Sequence, residues 1–251
     1  MLCCSYEKYI SKKPLTRINK YLCGSGLYSR KQADELVKQG VVLIDGRQAQ
    51  LGDQVTAGSQ VTVNGQVVEQ LAEDEVIFIV LNKPVGVVCT AASSVKNSII
   101  DFVGHSERIF PIGRLDKDSQ GLIFLTNKSS LANQMLGSGN SHEKEYVVTV
   151  NKTITDEFIA GMSQGVPMLG QVTKACEVVK ESEHVFRITL TQGLNRQIRR
   201  MCQHHGYRVE KLERIRIMHI NLGDLPLGQW RQFDANELAT LHDKLHRLTI
   251  S

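Results

Sequence analysis

An arginine and a carboxylate two positions apart, Arg114 and Asp116, stand inside the stretch Phe110-Pro-Ile-Gly-Arg-Leu-Asp-Lys-Asp-Ser-Gln-Gly-Leu-Ile-Phe-Leu-Thr-Asn127. Within it, Leu122 to Leu125 is uniformly apolar and bounded by Gly121 and Asn127, the pattern of a buried strand. A carboxylate at the mouth of such a strand sits where desolvation and a neighbouring cation tune its reactivity. Asp116 is therefore a candidate nucleophile or general base. On local pattern alone, a solvated charge in a turn is the commoner source of Arg-x-Asp.

Four other segments carry groups suited to the same chemistry. Leu81-Asn-Lys-Pro-Val-Gly86 reads as a strand ending in a Pro-Gly loop, and Lys144-Glu-Tyr146 opens a strand in which Tyr146, Val148 and Val150 alternate. Gln192-Gly-Leu-Asn-Arg-Gln-Ile-Arg-Arg-Met201 joins a strand to a helix, and Leu212-Glu-Arg-Ile-Arg216 lies in a basic stretch. Cys202, His204 and His205 fit no usual zinc spacing and are expected on a helix surface. Asp118 is expected to be solvated or capping, and Cys89 and Cys176 to be buried thiols.

The elements that must position these groups fall into two parts. From Leu15 to Val68, Leu15, Ile18 and Leu22 share one helical face, which Gly24 and Gly26 end. Ser29 opens a second helix, with Gln32 completing a capping box, Ala33, Leu36 and Val37 as its apolar stripe and Gly40 as its stop. Val41 to Ile44 and Val61 to Val68 read as strand and hairpin around the turn residues Asp45-Gly46 and Asn64-Gly65. The acidic segment Glu69 to Glu75 marks the linker, expected at 71–75, and 1–14 is an N-terminal extension expected to be flexible. Beyond the linker, strands are expected at Val76 to Leu81, Leu122 to Leu125, Tyr146 to Val150 and Val185 to Leu190. Helices are expected to begin near Ser129, Thr155, Asn195 and Asn236. Strands outnumber helices and few spacings suit repeated right-handed crossovers, so an α+β fold with a mostly antiparallel mixed sheet is expected.

At 251 residues, with 41% hydrophobic and 22% charged, the composition is that of a globular protein of one or two domains. No apolar run reaches bilayer-spanning length, so no membrane role is expected. Six cysteines without regular spacing suggest thiols in a reducing cytoplasm. The net charge is only +4, but its distribution is uneven. Lys12, Lys13, Arg17, Lys20, Arg30, Lys31 and Lys38 face only Asp34 and Glu35. Likewise Arg196, Arg199, Arg200, Arg208, Lys211, Arg214 and Arg216 face only Glu210 and Glu213, so each cluster is net +5. Two such clusters favour phosphate contacts over a pair of solvated helix faces.

The words Arg17-Ile-Asn-Lys-Tyr-Leu, Ser29-Arg-Lys-Gln-Ala-Asp and Val42-Leu-Ile-Asp-Gly-Arg47 resemble the S4 (α-L-like) RNA-binding domain. The five motifs of the larger part, in order and approximate spacing, resemble the RsuA/RluB-type branch of pseudouridine synthases. The segment Gly139-Asn-Ser-His-Glu-Lys-Glu-Tyr146 adds to that resemblance. The resemblance implies isomerisation of a specific uridine in structured RNA, with 15–70 as the S4 domain and 76–251 as the catalytic domain. It implies that Asp116 is the essential carboxylate, that Arg199 holds it charged as an ion pair, and that Tyr146 stacks on the uracil and assists proton transfer. Arg114 is implied to fill the space left by the extruded base, and Ile198 to form an apolar wall. Lys83, Arg196, Arg200 and, in the S4 part, Arg17, Lys20, Arg30 and Lys31 are expected to contact RNA. No cofactor or metal is expected, because an isomerisation transfers no net electrons. The expected partner is large-subunit (23S) ribosomal RNA and not DNA, the protein acting as a monomer. The alternatives are tRNA or small-subunit rRNA as substrate, or a non-catalytic RNA-binding ribosome-assembly protein.

Overall fold

The computed structural model describes residues 15–92, 94–137 and 142–250. The N-terminal extension, with Lys12 and Lys13 of the first basic cluster, and Gly139 to Ser141 of the segment before Tyr146 lie outside the described residues. The chain divides between Val76 and Ile77 into two compact units, and a 3-10 turn at Glu73–Glu75 closes the first.

In the first unit, β1 (Thr16–Arg17) leads into α1 (Ile18–Gly24) and α2 (Arg30–Lys38). Then come β2 (Val42–Ile44), β3 (Arg47–Gln48), β4 (Gln54–Val55), β5 (Val61–Val63) and β6 (Gln66–Val67). The helix expected to include Leu15 begins instead at Ile18. Thr16 and Arg17 are extended and pair with β4, which leaves Leu15 outside and 61% exposed. At α2 the Ser29 side chain accepts from the Gln32 backbone and Gln32 answers through Ser29 N, a complete capping box. Asp45-Gly46 and Asn64-Gly65 all take positive φ, as two-residue hairpin turns between twisted strands require. Ile18, Leu22, Ala33, Val37, Val42 and Val61 form the core of this unit.

The second unit runs β7 (Phe78–Lys83), α3 (Ile99–Val103), β8 (Phe110–Ile112), β9 (Gln120–Thr126) and α4 (Ser129–Leu136). It continues through β10 (Lys144–Val150), α5 (Asp156–Ser163), β11 (Pro167–Met168), β12 (Gln171–Val172), β13 (Glu177–Lys180) and β14 (Val185–Leu190). It ends with α6 (Gln197–His204), β15 (Val209–Ile217), β16 (Ile220–Asn221), β17 (Trp230–Gln232) and α7 (Ala235–Ile250). Nine strands make one mixed sheet in the order β13-β14-β10-β15-β9-β7-β17, with β8 on β9 and β16 on β15. Every pairing is antiparallel except β9 with β15.

The apolar runs of β7 and β9 are explained by burial on both faces. Ile79, Leu81, Ile123 and Leu125 enter the main core, whereas Phe78 and Phe124 pack on Phe233 at 4.9 and 5.0 Å between ring centroids. By contrast, β10 and β14 alternate, burying Tyr146, Val148 and Val150 with Phe186 and Ile188. Register then assembles one row across four strands: Lys83 opposite Gly121, Gly121 beside Arg214, Arg214 opposite Tyr146. Residues in register share a face of the sheet. Gly121 is required at its place, because it takes φ +105 and a Cβ there would fall on the Arg214 carbonyl.

Candidate active site

The Asp116 segment leaves β8 through Gly113 at φ +77, buries Leu115 as an anchor, and turns at 116–119, where Ser119 N donates to Asp116 O at 3.1 Å. The strand β9 begins immediately after, so the carboxylate stands at the strand mouth. A second connection steadies the turn from below: Gly86 N donates to Lys117 O at 2.8 Å and Leu115 N to Cys89 Sγ at 3.4 Å. Burial pushes the Cys89 thiol up, in keeping with a packed rather than a nucleophilic cysteine.

A cavity of about 620 Å³ opens at this point, lined by Asp116, Arg114, Tyr146, Ile198, Arg196 and Arg199 among others. Four of the five motifs, far apart in sequence, thus converge on it, while Leu81 to Gly86 does not line it and meets the Asp116 turn only through Gly86 N on Lys117 O. Tyr146 is buried to 8% exposure yet faces the cavity, so it serves the core and the site at once. Ile198, on the first turn of α6, is 4% exposed and supplies an apolar wall. Arg114 is exposed, and among the described residues its guanidinium has no carboxylate partner.

The ion pair expected between Asp116 and Arg199 does not form. The cation on Asp116 is Arg196, at 3.8 Å, which at the same time forks onto Asp118 at 2.9 and 2.8 Å. Arg199 reaches the same turn differently: Nη2 donates to Asp118 O at 2.7 Å, and Nε stands 3.4 Å from the Asp118 carboxylate. The cause is where α6 starts. Arg196 takes a left-handed conformation, φ 49 and ψ 37, just before the first turn, which presents its side chain to the 116–118 turn. Arg199, one turn along, is drawn to the turn's backbone. Asp118, expected to be solvated or capping, is therefore the hub of both arginines. The Arg196 hydrogen bonds hold its carboxyl below the usual carboxylate range.

Other expectations are corrected by burial. Lys83 cannot reach a phosphate: it is wholly buried, and Nζ donates to the carbonyls of Pro84 and Val87, each at 2.9 Å. Its loop folds back over it, and burial lowers its pKa. Arg200, by contrast, is only partly buried: Nε donates to the Asn195 carbonyl at 3.1 Å in an exposed hydrogen bond, which leaves its expected RNA contact open. Cys202 is not a surface residue but core, its thiol pushed up to about 12 by burial. His205 packs against Phe158 at 5.9 Å. In the first unit Arg17, Lys20, Arg30 and Lys31 are all exposed on or next to α1 and α2, as phosphate contacts need.

Two cavity residues carried no assigned role from sequence. Lys144 lines the cavity, with its pKa lowered by burial and then by Arg214, and Nζ donates to His142 O at 3.1 Å. Arg214 is 4% exposed, donates to Leu122 O at 2.6 Å and Arg114 O at 3.4 Å, and lies 6.0 Å from the Tyr146 ring centroid. The signal for Arg214 was its place two residues after Leu212, which puts it on the inward face of a strand. Among the described residues no group of His, Cys, Asp and Glu is arranged to hold a metal ion.

An acidic turn facing a cavity of about 620 Å³, walled by an aromatic and an aliphatic side chain and lined by several arginines, on a mixed sheet after a small helical and sheet unit, suits an enzyme acting on nucleic acid. The family of RNA pseudouridylate synthases matches residues 77–204, and the S4 domain matches residues 16–61. The chain is 59% identical over 226 residues to "Dual-specificity RNA pseudouridine synthase RluF" of Salmonella typhi, covering 90% of this chain and 78% of that protein. It is 58% identical over 225 residues to the protein of that name from Escherichia coli K12, with the same shares covered. It is 31% identical over 236 residues to "Ribosomal large subunit pseudouridine synthase B" of Bacillus subtilis, covering 90% and 96%. A crystal structure of a pseudouridylate synthase shares the fold, with a TM-score of 0.65 at 24% identity over 90% of this chain and 99% of that one. The chain belongs to the RNA pseudouridylate synthase family and is an RNA pseudouridine synthase carrying an S4 domain.

Proposed function

We propose that the substrate is a uridine in large-subunit ribosomal RNA, that a second structured RNA such as tRNA is also accepted, and that Asp116 is the reacting carboxylate. The observation that carries this is the placement of Asp116 in one cavity with Tyr146, Ile198 and Arg114. The printed names of the similar proteins, one specifying the ribosomal large subunit and others dual specificity, support the choice of RNA.

The reaction breaks the bond from C1′ to N1 of uracil, turns the base, and joins C1′ to C5. The hydrogen on C5 leaves as a proton and N1 gains one, so no electrons are exchanged with a carrier. The anionic oxygen of Asp116 supplies the electron pair or accepts the proton that this exchange demands. A base must first leave its stack, at a cost of a few kcal/mol. The exposed guanidinium of Arg114 offers both a stacking plane and phosphate contact for the emptied place. Tyr146 offers the extruded uracil a ring face. The exposed cations of the S4 unit recognise the shape and backbone of neighbouring RNA, because the A-form major groove is closed to side chains. Action as a monomer in the cytoplasm is part of the same proposal; the free thiols of Cys23, Cys89, Cys176 and Cys202 accord with a reducing compartment.

The test is tritium release from uracil-5-labelled transcripts by wild type and Asp116→Asn, paired with pseudouridine mapping in large-subunit rRNA, small-subunit rRNA and tRNA of cells lacking the gene. Release by wild type alone, with loss of a large-subunit site, supports the proposal. Loss confined to tRNA defeats the ribosomal assignment, and an active Asp116→Asn defeats the role of Asp116.

A further inference from the structure

Asp45, Asn64 and Asn97 take positive φ at little cost, since their short polar side chains tolerate the left-handed region. Among the described residues the other non-glycines found there are Arg196, Met218 and Leu169. Arg196 and Met218 line the cavity. Leu169 sits instead at the tip of the β11–β12 hairpin, where Leu169 and Gly170 form the turn at φ 52 and φ 75. A leucine is strained in that conformation, and at 52% exposure little packing repays it. Strain of this kind collects where a protein meets its ligand.

We infer that the β11–β12 hairpin is an RNA-contacting projection beside the cavity. Its apolar tip packs into the minor groove of the stem flanking the target uridine, and Lys174 meets a phosphate of that stem. The inference rests on the cavity being where the target nucleotide enters.

Hairpin and cavity are continuous. Lys174, two residues past β12, lines the cavity, and its backbone N donates to Gln192 Oε1, another lining residue, at 3.1 Å. Thr173 is buried and closes the hairpin base: its N donates to Val166 O at 3.0 Å, and its Oγ1 accepts from Val166 N at 2.9 Å. Met168 packs on the main core from one face, and β11 lies against α6, the helix that carries Ile198 into the cavity. The anchored base holds the tip as a fixed projection. A strand rises about 3.3 Å per residue, so the tip stands at most roughly 17 Å from Lys174, a span of only a few base pairs.

The chemistry of the projection selects its occupant. Pro167 and Val172 are register partners on the face away from Met168, and with Leu169 all three are exposed. A solvated hairpin face is ordinarily polar; this one is aliphatic. It carries no aromatic ring, so it is poorly made for stacking on single-stranded bases. Aliphatic side chains suit ribose faces and an ammonium suits phosphate, and both are displayed along the wide, shallow minor groove of A-form RNA. Lys174 is exposed, and among the described residues no ion pair involves it. Glu177, the next acid along the chain, lies on β13.

Binding of RNA by the full chain tests this. The probe is a transcript of the segment that loses its pseudouridine in cells lacking the gene, made with and without the flanking stem. Leu169→Asn suits the left-handed position, so it is expected to melt no lower than wild type. Combined with Val172→Thr, it is expected to raise Kd for the stemmed transcript roughly three- to tenfold. The slope of log affinity against log salt is expected to stay, because the lost contacts are apolar. Lys174→Gln is expected to make that slope shallower by about 0.7–0.9. On the transcript without the stem, the double variant is expected to match wild type. A stemmed-transcript Kd within about twofold of wild type in the double variant, an unaltered slope in Lys174→Gln, or an equal loss without the stem overturns the inference. So does a wild-type dimer in sedimentation that the double variant loses while its RNA affinity stays, which assigns the hairpin to a second copy of the chain. Where the double variant does not fold, Leu169→Asn alone carries the apolar arm. An active Asp116→Asn defeats the role of Asp116, while these affinities still decide the hairpin.

Discussion

The guanidinium of Arg196 and the carboxylate of Asp118 meet fork to fork at 2.9 and 2.8 Å, while the same guanidinium stands 3.8 Å from Asp116. One arginine thus spans both acids of the turn, and the stronger contact goes to the acid with no assigned chemistry. Asp118 aims Arg196 and, through its carbonyl, Arg199. Replacing Asp118 by Asn keeps the shape but loses the fork's charge. The expected result is a fall of about tenfold to hundredfold in kcat, as misplacement near a reacting group produces, with KM for RNA little changed. Steady-state kinetics on a single rRNA transcript decide it, and an unchanged kcat refutes the aiming role.

The same fork makes a pH prediction. The Asp118 carboxyl is held below its usual range by Arg196, so its folded form binds a proton less readily than the unfolded chain does. Its contribution to stability is present above the usual carboxylate pKa of about 3.9 and is lost as pH falls through the depressed value. Both side chains are more than a third exposed, so the effect is small. Melting curves of wild type and Asp118→Asn are expected to separate at pH 6 and converge below roughly pH 3. A separation that persists at the lowest pH places its origin elsewhere.

Gly121 admits no side chain. Its φ of +105 and the approach of the Arg214 backbone leave no room for a Cβ. Gly121→Ala is expected to destabilise the second unit by about 2–4 kcal/mol, read from denaturant midpoints. A loss under about 0.5 kcal/mol, the size typical of surface changes, contradicts the close pairing of β9 and β15.

The exposed S4 cations are expected to act through phosphate. Replacing Lys20, Arg30 and Lys31 together by alanine is expected to weaken RNA binding and raise KM. The slope of log affinity against log salt should become shallower by about 0.7–0.9 for each phosphate left without its cation. Binding titrations at several salt concentrations measure both. An unaltered slope shows that these residues are solvated surface.

Much of the fold was legible because apolar patterning is local. The uniform run Leu122 to Leu125 and the alternation from Tyr146 foretold a doubly buried strand and a half-buried one, and burial bears this out. The Ser29 and Gln32 box marked the start of α2. Leu15 misled because its spacing matched a helical face while the backbone at Thr16 and Arg17 paired as a strand instead. Lys83 misled for a different reason: a lysine beside a Pro-Gly loop resembles a surface cation until the loop's carbonyls fold over it.

The order of motifs, the two units and the place of Asp116 at the mouth of a buried strand are readable in the one-dimensional chain, because residue type and spacing encode periodicity, caps and turns. Which cation meets which acid is not. An ion pair is decided over a few ångströms, and those depend on the left-handed entry to α6 at Arg196 and on strand register. Register is what sets Lys83, Gly121, Arg214 and Tyr146 side by side. Tertiary structure alone moved the partner of Asp116 from Arg199 to Arg196 and turned Lys83 inward, because through-space distance and burial have no counterpart in linear spacing.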